Sequence, residues 1–430
     1  MTTKDRVSDD AVQINRRFCE HIFGQTGVDD FAVRLWDGVE LWARHAGAPR
    51  FTIVLSQPGS LRAAFLPPKS LTFCEAYFSG AYDVEGDLIA FWRLVQSLYE
   101  GGRLRKREIA EALAGLPEFK AALSGREAVR LSGEIHGLER DQQAITSHFD
   151  ISNEFYALWL DSRMLYTCAY FKEPGNDLET AQRDKIDLVC RKLRLKPGEK
   201  MLDVGCGWGG LAIHAAEHYG VEVRAVTLSL AQAEWGQARV AAKGLQDRCR
   251  ISHSDYRDVD EEASYDKISS IGMTEHLGEA KLPGYFRHII KLLKPGGVFL
   301  NHAIGSHPAI SPLQGSTFIN RYVFPDGELS PISTVLTAAE HAGFEVRDVE
   351  CLREHYEKTC AFWLHRLEAN ASRAIELTDE MTYRVWRLYL AYSSYGFSTG
   401  LPSIYQALLS KADHGRSGMP LVRSDWYRAR

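Results

Sequence analysis

Between residues 178 and 303 the chain alternates two hydrophobic periods. Apolar residues three and four apart predict helices over 178–195, 211–219, 231–243 and 282–293. Short continuous apolar runs between them predict buried strands, one starting at residue 201 and others over 221–228, 251–256, 265–271 and 297–303. Alternation at this spacing gives right-handed βαβ units and an α/β fold with a mostly parallel sheet, whose ligands bind at the carboxyl ends of the strands. Before residue 145 the pattern differs. Residues 1–16 are polar and predict loose chain, 17–27 predict a first helix, and 31–65 hold short β-rich runs such as 51–55, broken by Pro and Gly. Together they predict a small α+β domain. Residues 87–99 carry Phe91, Trp92, Leu94, Val95 and Leu98 on one helical stripe, which serves either core packing or a lipid-facing surface. Charged residues dominate 110–140, read as a helical link. The chain thus divides into an N-terminal lipid-binding or accessory domain, 1–140, and a larger domain, 141–430. Aromatic and small polar residues over 145–171 follow no clean period, which points to a lid or loop lining a site.

The larger domain is organised around Met201-Leu-Asp-Val-Gly-Cys-Gly-Trp-Gly-Gly210, an apolar stretch that ends in an acid and then four glycines within six positions. Asp203 closes the strand. Gly205 and Gly207 allow positive φ and close approach to a ligand, and Gly209 with Gly210 let the next helix pack tightly on the sheet. A helix N-terminus follows at once, which suits a nucleotide-like cofactor. A dinucleotide fingerprint carries its acid about 20 residues beyond the glycines. Here the acid precedes them, an order that resembles motif I of S-adenosylmethionine-dependent methyltransferases with the Rossmann-like fold.

Composition narrows the setting. A length of 430 residues exceeds one usual domain, and 45% hydrophobic with 25% charged residues describes an ordinary globular protein. A net charge of −5 gives no reason to expect nucleic acid. The 8 cysteines are scattered without metal-ligand spacing and no secretory leader precedes them, which predicts a reducing cytoplasm and no metal. No apolar run reaches the roughly 18 residues that span a bilayer, so any membrane contact is peripheral. The dense basic run 103–107 is either a solvated helix face or a contact with anionic headgroups, where each cation contributes about 1 kcal/mol.

Further segments extend the likeness. His148-Phe-Asp-Ile-Ser-Asn153, Tyr166-Thr-Cys-Ala-Tyr170, the glycine loop, Thr227-Leu-Ser-Leu-Ala-Gln232, Asp255-Tyr-Arg-Asp258, Gly272-Met-Thr-Glu-His276, Phe299-Leu-Asn-His-Ala-Ile-Gly305 and 318–327 together resemble the cyclopropane-fatty-acyl-phospholipid synthase family, which includes the mycolic acid methyltransferases. The likeness is close over about 145–410 and loose over the first 140 residues. It implies transfer of a methyl(ene) group from S-adenosylmethionine to the double bond of an unsaturated fatty acyl chain of a membrane phospholipid. The product would be a cyclopropane or, alternatively, a methylene, methyl-branched or other C-methylated chain. By the same resemblance the cofactor is held by Tyr166 and Thr167, by Gly205, Gly207, Trp208 and Gly209 with Asp203 orienting their loop, and by Thr227, Leu228, Ser229 and Gln232. Gln232 falls near its ribose or carboxylate, and Asp255 and Tyr256 near its adenine. Ordinary strand-end polarity is the plainer reading of Thr227 and Ser229.

In that family a bound bicarbonate acts as base, and the positions that hold it match Cys168, Glu275, His302, Ile304 and Tyr356. Cys168, His302 and Tyr356 would donate, while Glu275 would accept and orient the bicarbonate hydroxyl, with a raised pKa beside an anion. A core histidine bonded at a strand end is the plainer reading of His302. The implied partners are a bilayer surface, reached peripherally from the cytoplasm, a second copy of the chain in a homodimer, and a partner reductase.

The chemistry is consistent with such a set. An isolated double bond has no proton to lose before it attacks a sulfonium methyl, so the site must hold the two dry and aligned. Attack leaves a cation on the chain, which fixed negative charge and aromatic faces stabilise until a base removes a proton. The chain departs from the family at Ser393-Ser394, where many members carry a cysteine, so no thiol nucleophile is required there. Its long tail, 369–426, also resembles a branch associated with methylated fatty acids. Two other functions fit the fold. A small-molecule or nucleic-acid methyltransferase would need a polar or basic pocket in place of the aromatics at 149–171, and a lipid-binding protein without catalysis would not need the set at 168, 275, 302 and 356.

Overall fold

The structure, a computed structural model, describes residues 3–43, 47–99, 104–121, 123–149, 151–307 and 317–427. Arg103 of the basic run and Asp150 of the aromatic segment lie outside the described residues. The chain forms two compact units, each drawn from separate stretches. Residues 1–128, 315–323 and 371–395 make the first, and 129–314, 324–370 and 396–430 the second.

In the first unit, strands β1 (Phe31–Arg34), β2 (Glu40–Ala43), β3 (Phe51–Leu55) and β4 (Tyr82–Gly86) form a sheet in the order β2-β1-β3-β4. β1 runs parallel to β3 and the other pairs are antiparallel. Phe51, Ile53 and Leu55 alternate inward along β3, as a half-buried strand requires. Helix Leu88–Tyr99 buries Phe91, Trp92, Leu94, Val95 and Leu98, so its stripe is core; the Phe91 ring lies edge-on to Phe51 with centroids 5.7 Å apart. Each such side chain contributes roughly 1.5–3 kcal/mol by burial. The first helix runs over Thr3–Ile22, where loose chain was expected up to residue 16. Its buried stripe includes Ala11 and Asn15 before Phe18, Cys19 and Ile22, too little apolar surface to register as hydrophobic periodicity. Asn15 Nδ2 is satisfied by the Ala11 carbonyl at 2.8 Å.

The compact units do not follow the expected division at 140. Arg384 donates to the Tyr77 and Tyr82 carbonyls, both at 3.2 Å, and to Asp83 at 2.9 Å, while Arg387 donates to the Tyr77 hydroxyl at 2.9 Å. These bonds draw part of helix Glu380–Thr399 into the first unit. Nor is 110–140 helical throughout. Helix Lys106–Ala112 stops and the next starts at Leu138, because the intervening Gly, Pro and charged residues offer no apolar stripe to bury after Leu113 and Leu116.

The second unit holds strands β5 (Lys200–Val204), β6 (Glu222–Thr227), β7 (Cys249–His253), β8 (Tyr265–Ile271), β9 (Leu293–Ser306), β10 (Glu345–Cys351) and β11 (Pro402–Ser410). Their order is β10-β11-β9-β8-β5-β6-β7. β5 to β9 are parallel, and β11 inserts antiparallel between β9 and β10. The α/β expectation with a mostly parallel sheet therefore holds. Strand order reverses at β5, between β6 on one side and β8 on the other, and such a switch point opens a crevice at the carboxyl ends. Of the aromatics expected to form a lid, Phe155, Tyr156, Trp159 and Phe171 are buried, while Tyr166 and Tyr170 are half-buried. Tyr156 lies within a short helix, Asn153–Ala157, capped by Ser152, Trp159 follows that helix, and both are fully enclosed. No helix among the described residues is long and apolar enough to cross a membrane.

Candidate active site

The glycine loop leaves β5 under two backbone bonds, since the amides of Gly205 and Cys206 both donate to the Val226 carbonyl at 3.0 Å. Gly205, Gly207 and Gly209 take φ of 71°, 56° and 81°, in the left-handed region that glycine tolerates best. A Cβ on Gly205 would collide with the Met273 side chain and one on Gly209 with Ile251, whereas one on Gly207 would meet no protein atom within 4 Å. The loop is therefore packed at both ends and faces open room in the middle. Asp203 lies beneath it, where its Oδ1 accepts from Ser269 Oγ at 2.6 Å and burial pushes its carboxyl up to about 6. Trp208 is buried and donates its Nε1 to Asn153 Oδ1 at 2.8 Å.

At the end of β6, Thr227 Oγ1 donates to Gln232 Oε1 at 2.8 Å. With its oxygen so used, Gln232 presents its NH2 as the end able to bond a ligand. Ser229 caps helix Leu230–Ala242, accepting from the Gln232 amide at 3.3 Å, and the Leu228 carbonyl lies 3.0 Å from His253 Nε2. Beyond β7, Asp255 is held by Arg257. Its Oδ1 meets the Arg257 amide and Nε at 2.8 Å each, and its Oδ2 meets Nη2 at 2.7 Å. Tyr256 sits in a short 3-10 turn rather than in the expected strand, its ring edge-on to Tyr285 with centroids 5.4 Å apart.

The stretch 165–171 is pinned between two helices. From helix Leu178–Leu193, Gln182 Nε2 donates to the Leu165 and Thr167 carbonyls at 3.2 and 2.8 Å, and Lys185 Nζ donates to Thr167 Oγ1 at 2.7 Å. From helix Arg353–Ala369, Thr359 Oγ1 and His355 Nδ1 accept from the Ala169 and Phe171 amides, both at 3.0 Å. Cys168 Sγ consequently lies 3.7 Å from the Leu352 carbonyl, which also accepts the Tyr356 amide at 3.1 Å. Burial pushes the Cys168 thiol far up, so it remains protonated and is a poor nucleophile. The Tyr166 ring packs 5.2 Å from both Trp159 and Trp363, and the Tyr356 ring 4.5 Å from Phe397.

Glu275 and His302 complete the group. Glu275 Oε1 accepts the Ile304 amide at 2.7 Å, and its Oε2 is buried without a hydrogen-bond partner among the described residues. Burial raises this carboxyl to about 7. His302 is 1% exposed. Its Nε2 likewise has no partner among the described residues, and burial, with Lys185 and Lys192 nearby, holds its pKa well below the ordinary value, so the ring is neutral. The Leu352 amide donates to the Ile404 carbonyl at 2.9 Å, and Ile404 pairs with Ile304 across the β9–β11 ladder. One run of backbone contacts thus links the residues expected at the catalytic centre. Ile304 enters it through its amide, which serves Glu275.

Sequence reasoning missed Gln182, Lys185 and Lys192, polar residues on the buried face of helix Leu178–Leu193. The signal was there, since 182, 185 and 192 fall at spacings of three and seven on a helix otherwise read as apolar inward. Lys185 has no ion pair among the described residues, and burial lowers its pKa to about 8. Among the described residues no cluster of three His, Cys, Asp or Glu is placed to hold a metal ion.

A doubly wound sheet of this order, with a glycine loop leaving the switch-point strand and polar groups at the neighbouring strand ends, defines a class I S-adenosylmethionine-dependent methyltransferase. The chain belongs, within that class, to the family described as mycolic acid cyclopropane synthetase, whose profile matches residues 136–407. It is 39% identical over 402 residues to a "Probable fatty acid methyltransferase" of Pseudomonas putida, covering 92% of this chain and 96% of that one. It is 36% identical over 290 residues to the cyclopropane-fatty-acyl-phospholipid synthase of Escherichia coli K12, covering 66% and 73%. The crystal structure of mycolic acid cyclopropane synthase CmaA1 complexed with SAH and CTAB superposes with a TM-score of 0.59 at 35% identity, covering 62% of this chain and 97% of that one. The protein is thus an S-adenosylmethionine-dependent enzyme of the lipid methyltransferase and cyclopropane synthase family.

Proposed function

We propose that the enzyme transfers a methyl(ene) group from S-adenosylmethionine to the double bond of an unsaturated fatty acyl chain in a membrane phospholipid, giving a cyclopropane ring, with bound bicarbonate as the base. The observation that carries this reading is the pair of buried polar atoms without partners among the described residues, Glu275 Oε2 and His302 Nε2. Orphaned atoms of this kind cost about 1–3 kcal/mol each unless a ligand that both accepts and donates meets them. Bicarbonate, with its hydroxyl and two further oxygens, fits that donor set.

When bound, S-adenosylmethionine supplies an electrophilic methyl on a sulfonium, and bicarbonate supplies a base compatible with a dry site. The protein does the rest. The loop 205–209 and the Gln232 amide would seat the cofactor, and Glu275 would take the bicarbonate hydroxyl on Oε2 because the Ile304 amide already holds Oε1. The thiol of Cys168 stays protonated and leaves the methyl to the alkene. The rings of Tyr356, Trp363 and Phe397 would offer electron-rich faces to positive charge on the acyl chain and keep water away.

A second product class, a C-methylated chain such as a methylene or methyl branch, is supported by the relative aligned over 92% of this chain, whose name is that of a fatty acid methyltransferase. The test is incubation of the full chain with methyl-labelled S-adenosylmethionine and vesicles of monounsaturated phospholipid. Label in the acyl chains with a gain of one CH2 supports the function, and resistance of the product to mild hydrogenation separates ring from methylene. Label that never enters lipid, with folded enzyme and varied headgroups, refutes it.

A further inference from the structure

His302 presents two ring nitrogens to different surroundings, and the Nδ1 side has its own construction. Gln406 on β11 stands directly opposite His302 in the antiparallel ladder with β9, and side chains at paired positions share a face. Gln406 Nε2 lies 3.4 Å from His302 Nδ1, and Gln406 Oε1 accepts from Lys192 Nζ at 2.8 Å. An ammonium only donates, so the amide must turn its oxygen to Lys192 and its NH2 to the ring. An NH2 only donates as well, so Nδ1 is the acceptor, and a neutral imidazole that accepts at Nδ1 carries its proton on Nε2.

We propose that Lys192 and Gln406 are positioning residues that fix His302 in the tautomer protonated at Nε2, making that nitrogen a hydrogen-bond donor to a small anion beside Glu275. The inference rests on the anion site put forward under the proposed function. Without Lys192 the amide is free to flip, offer its oxygen to a proton on Nδ1 and leave Nε2 as a lone pair that repels an anion. Lys192 is itself held in place. It is fully buried, pairs with Glu350, and has Asp348 at 3.8 Å. The buried ring of Trp426 covers it, with its centroid 5.8 Å from Nζ. That ring belongs to a C-terminal turn anchored by Asp425, whose carboxylate accepts from Arg194 at 2.6 and 3.0 Å. The end of the long tail thus covers the relay and shields it from water.

The first measurement is the imidazole 15N spectrum of the full wild-type chain without ligands, with His302 assigned by its disappearance in His302→Gln. A resonance pair of the form protonated at Nε2 is expected, and the Nδ1 form overturns the proposal. The second compares Gln406→Met with wild type in carbon-dioxide-stripped buffer. The half-saturating bicarbonate concentration should rise about tenfold, the loss expected when a charge-assisted bond goes, while S-adenosylmethionine affinity by calorimetry stays unchanged. An unchanged half-saturation with unchanged cofactor affinity overturns the relay. If wild-type turnover does not depend on added bicarbonate at all, the anion reading falls instead, and the 15N spectrum still decides the tautomer.

Discussion

Replacing Glu275 by Gln separates stability from function. The carboxyl is 8% exposed and held at about 7 against an ordinary 4.5, which disfavours its ionised form in the folded protein by roughly 3 kcal/mol. The sign follows from linkage. Because the folded value lies above the unfolded one, the fold binds more protons than the unfolded chain between these values. The stability contributed by the protonated acid is full below about 4.5 and is lost as pH rises through about 7. Glutamine does not titrate and keeps an oxygen for the Ile304 amide. Ligand-free Glu275→Gln and wild type should therefore lie within about 1 kcal/mol of each other at pH 5 and separate by several degrees at pH 8, the variant being the more stable by up to ~3 kcal/mol. Turnover should fall by at least ~100-fold at every pH, as removal of a proton-handling group does. Thermal unfolding over a pH series checks the first claim and labelled methyl transfer the second. A gap in melting temperature that is flat from pH 5 to 8 refutes the reasoning, because the acid would then not be titrating in a dry pocket.

Other perturbations test the cofactor half of the site. Gly205→Ala should weaken S-adenosylmethionine binding at least ~10-fold, since a left-handed φ costs an alanine about 1–2 kcal/mol and its methyl strikes Met273; calorimetry showing unchanged affinity would sink the loop's role. Gln232→Leu should raise KM for the cofactor by about 10–100-fold, the range for a hydrogen bond to a charged group, with a smaller change in kcat. Equal losses in both would place Gln232 elsewhere. Cys168→Ala should keep kcat within about tenfold, because a protonated thiol contributes contact rather than nucleophilicity. A loss beyond 1,000-fold in folded protein would contradict that.

The parts of the fold that were legible in the sequence are those set by one local period. β5, its glycine loop and the helix beyond it follow from one unbroken stretch, 201–219, and β6 to β9 repeat the logic at regular spacing. What escaped depends on partners distant along the chain. Helix Thr3–Ile22 is held by a stripe that includes Ala11 and Asn15, and nothing in those letters shows that Asn15 reaches the carbonyl of Pro58 at 3.3 Å. Part of helix Glu380–Thr399 returns to the first unit through Arg384 and Arg387, whose acceptors lie some 300 positions earlier. Tyr156, Trp159 and Tyr166 lack a period because they pack as an irregular aromatic cluster with Trp363, so aperiodicity suggested a loop where the structure has core. Glu275 and His302 could be picked out, but the bond from Ile304 that orients Glu275 could not.

A methyl on a sulfonium alkylates any good nucleophile, so a site that serves the proposed alkene acceptor must disarm its own side chains. The groups gathered here are disarmed by separate means. Cys168 keeps its proton because burial penalises the thiolate. Lys185 remains an ammonium below about 8 and spends a proton on Thr167. Glu275 is partly neutral near pH 7 and has Oε1 tied to the Ile304 amide. His302, neutral and buried, faces the Gln406 NH2 with Nδ1, which occupies that lone pair. The π electrons of a lipid double bond are weaker than a thiolate or an amine in water and prevail only where those forms are absent. Enzyme incubated with labelled S-adenosylmethionine at pH 7 and no lipid should therefore show no methyl adduct on Cys168, Lys185 or His302 by peptide mass spectrometry, even over many turnover times. Stoichiometric methylation of Cys168 under those conditions would mean that its thiolate is accessible, and the neutral-site argument would fail with it.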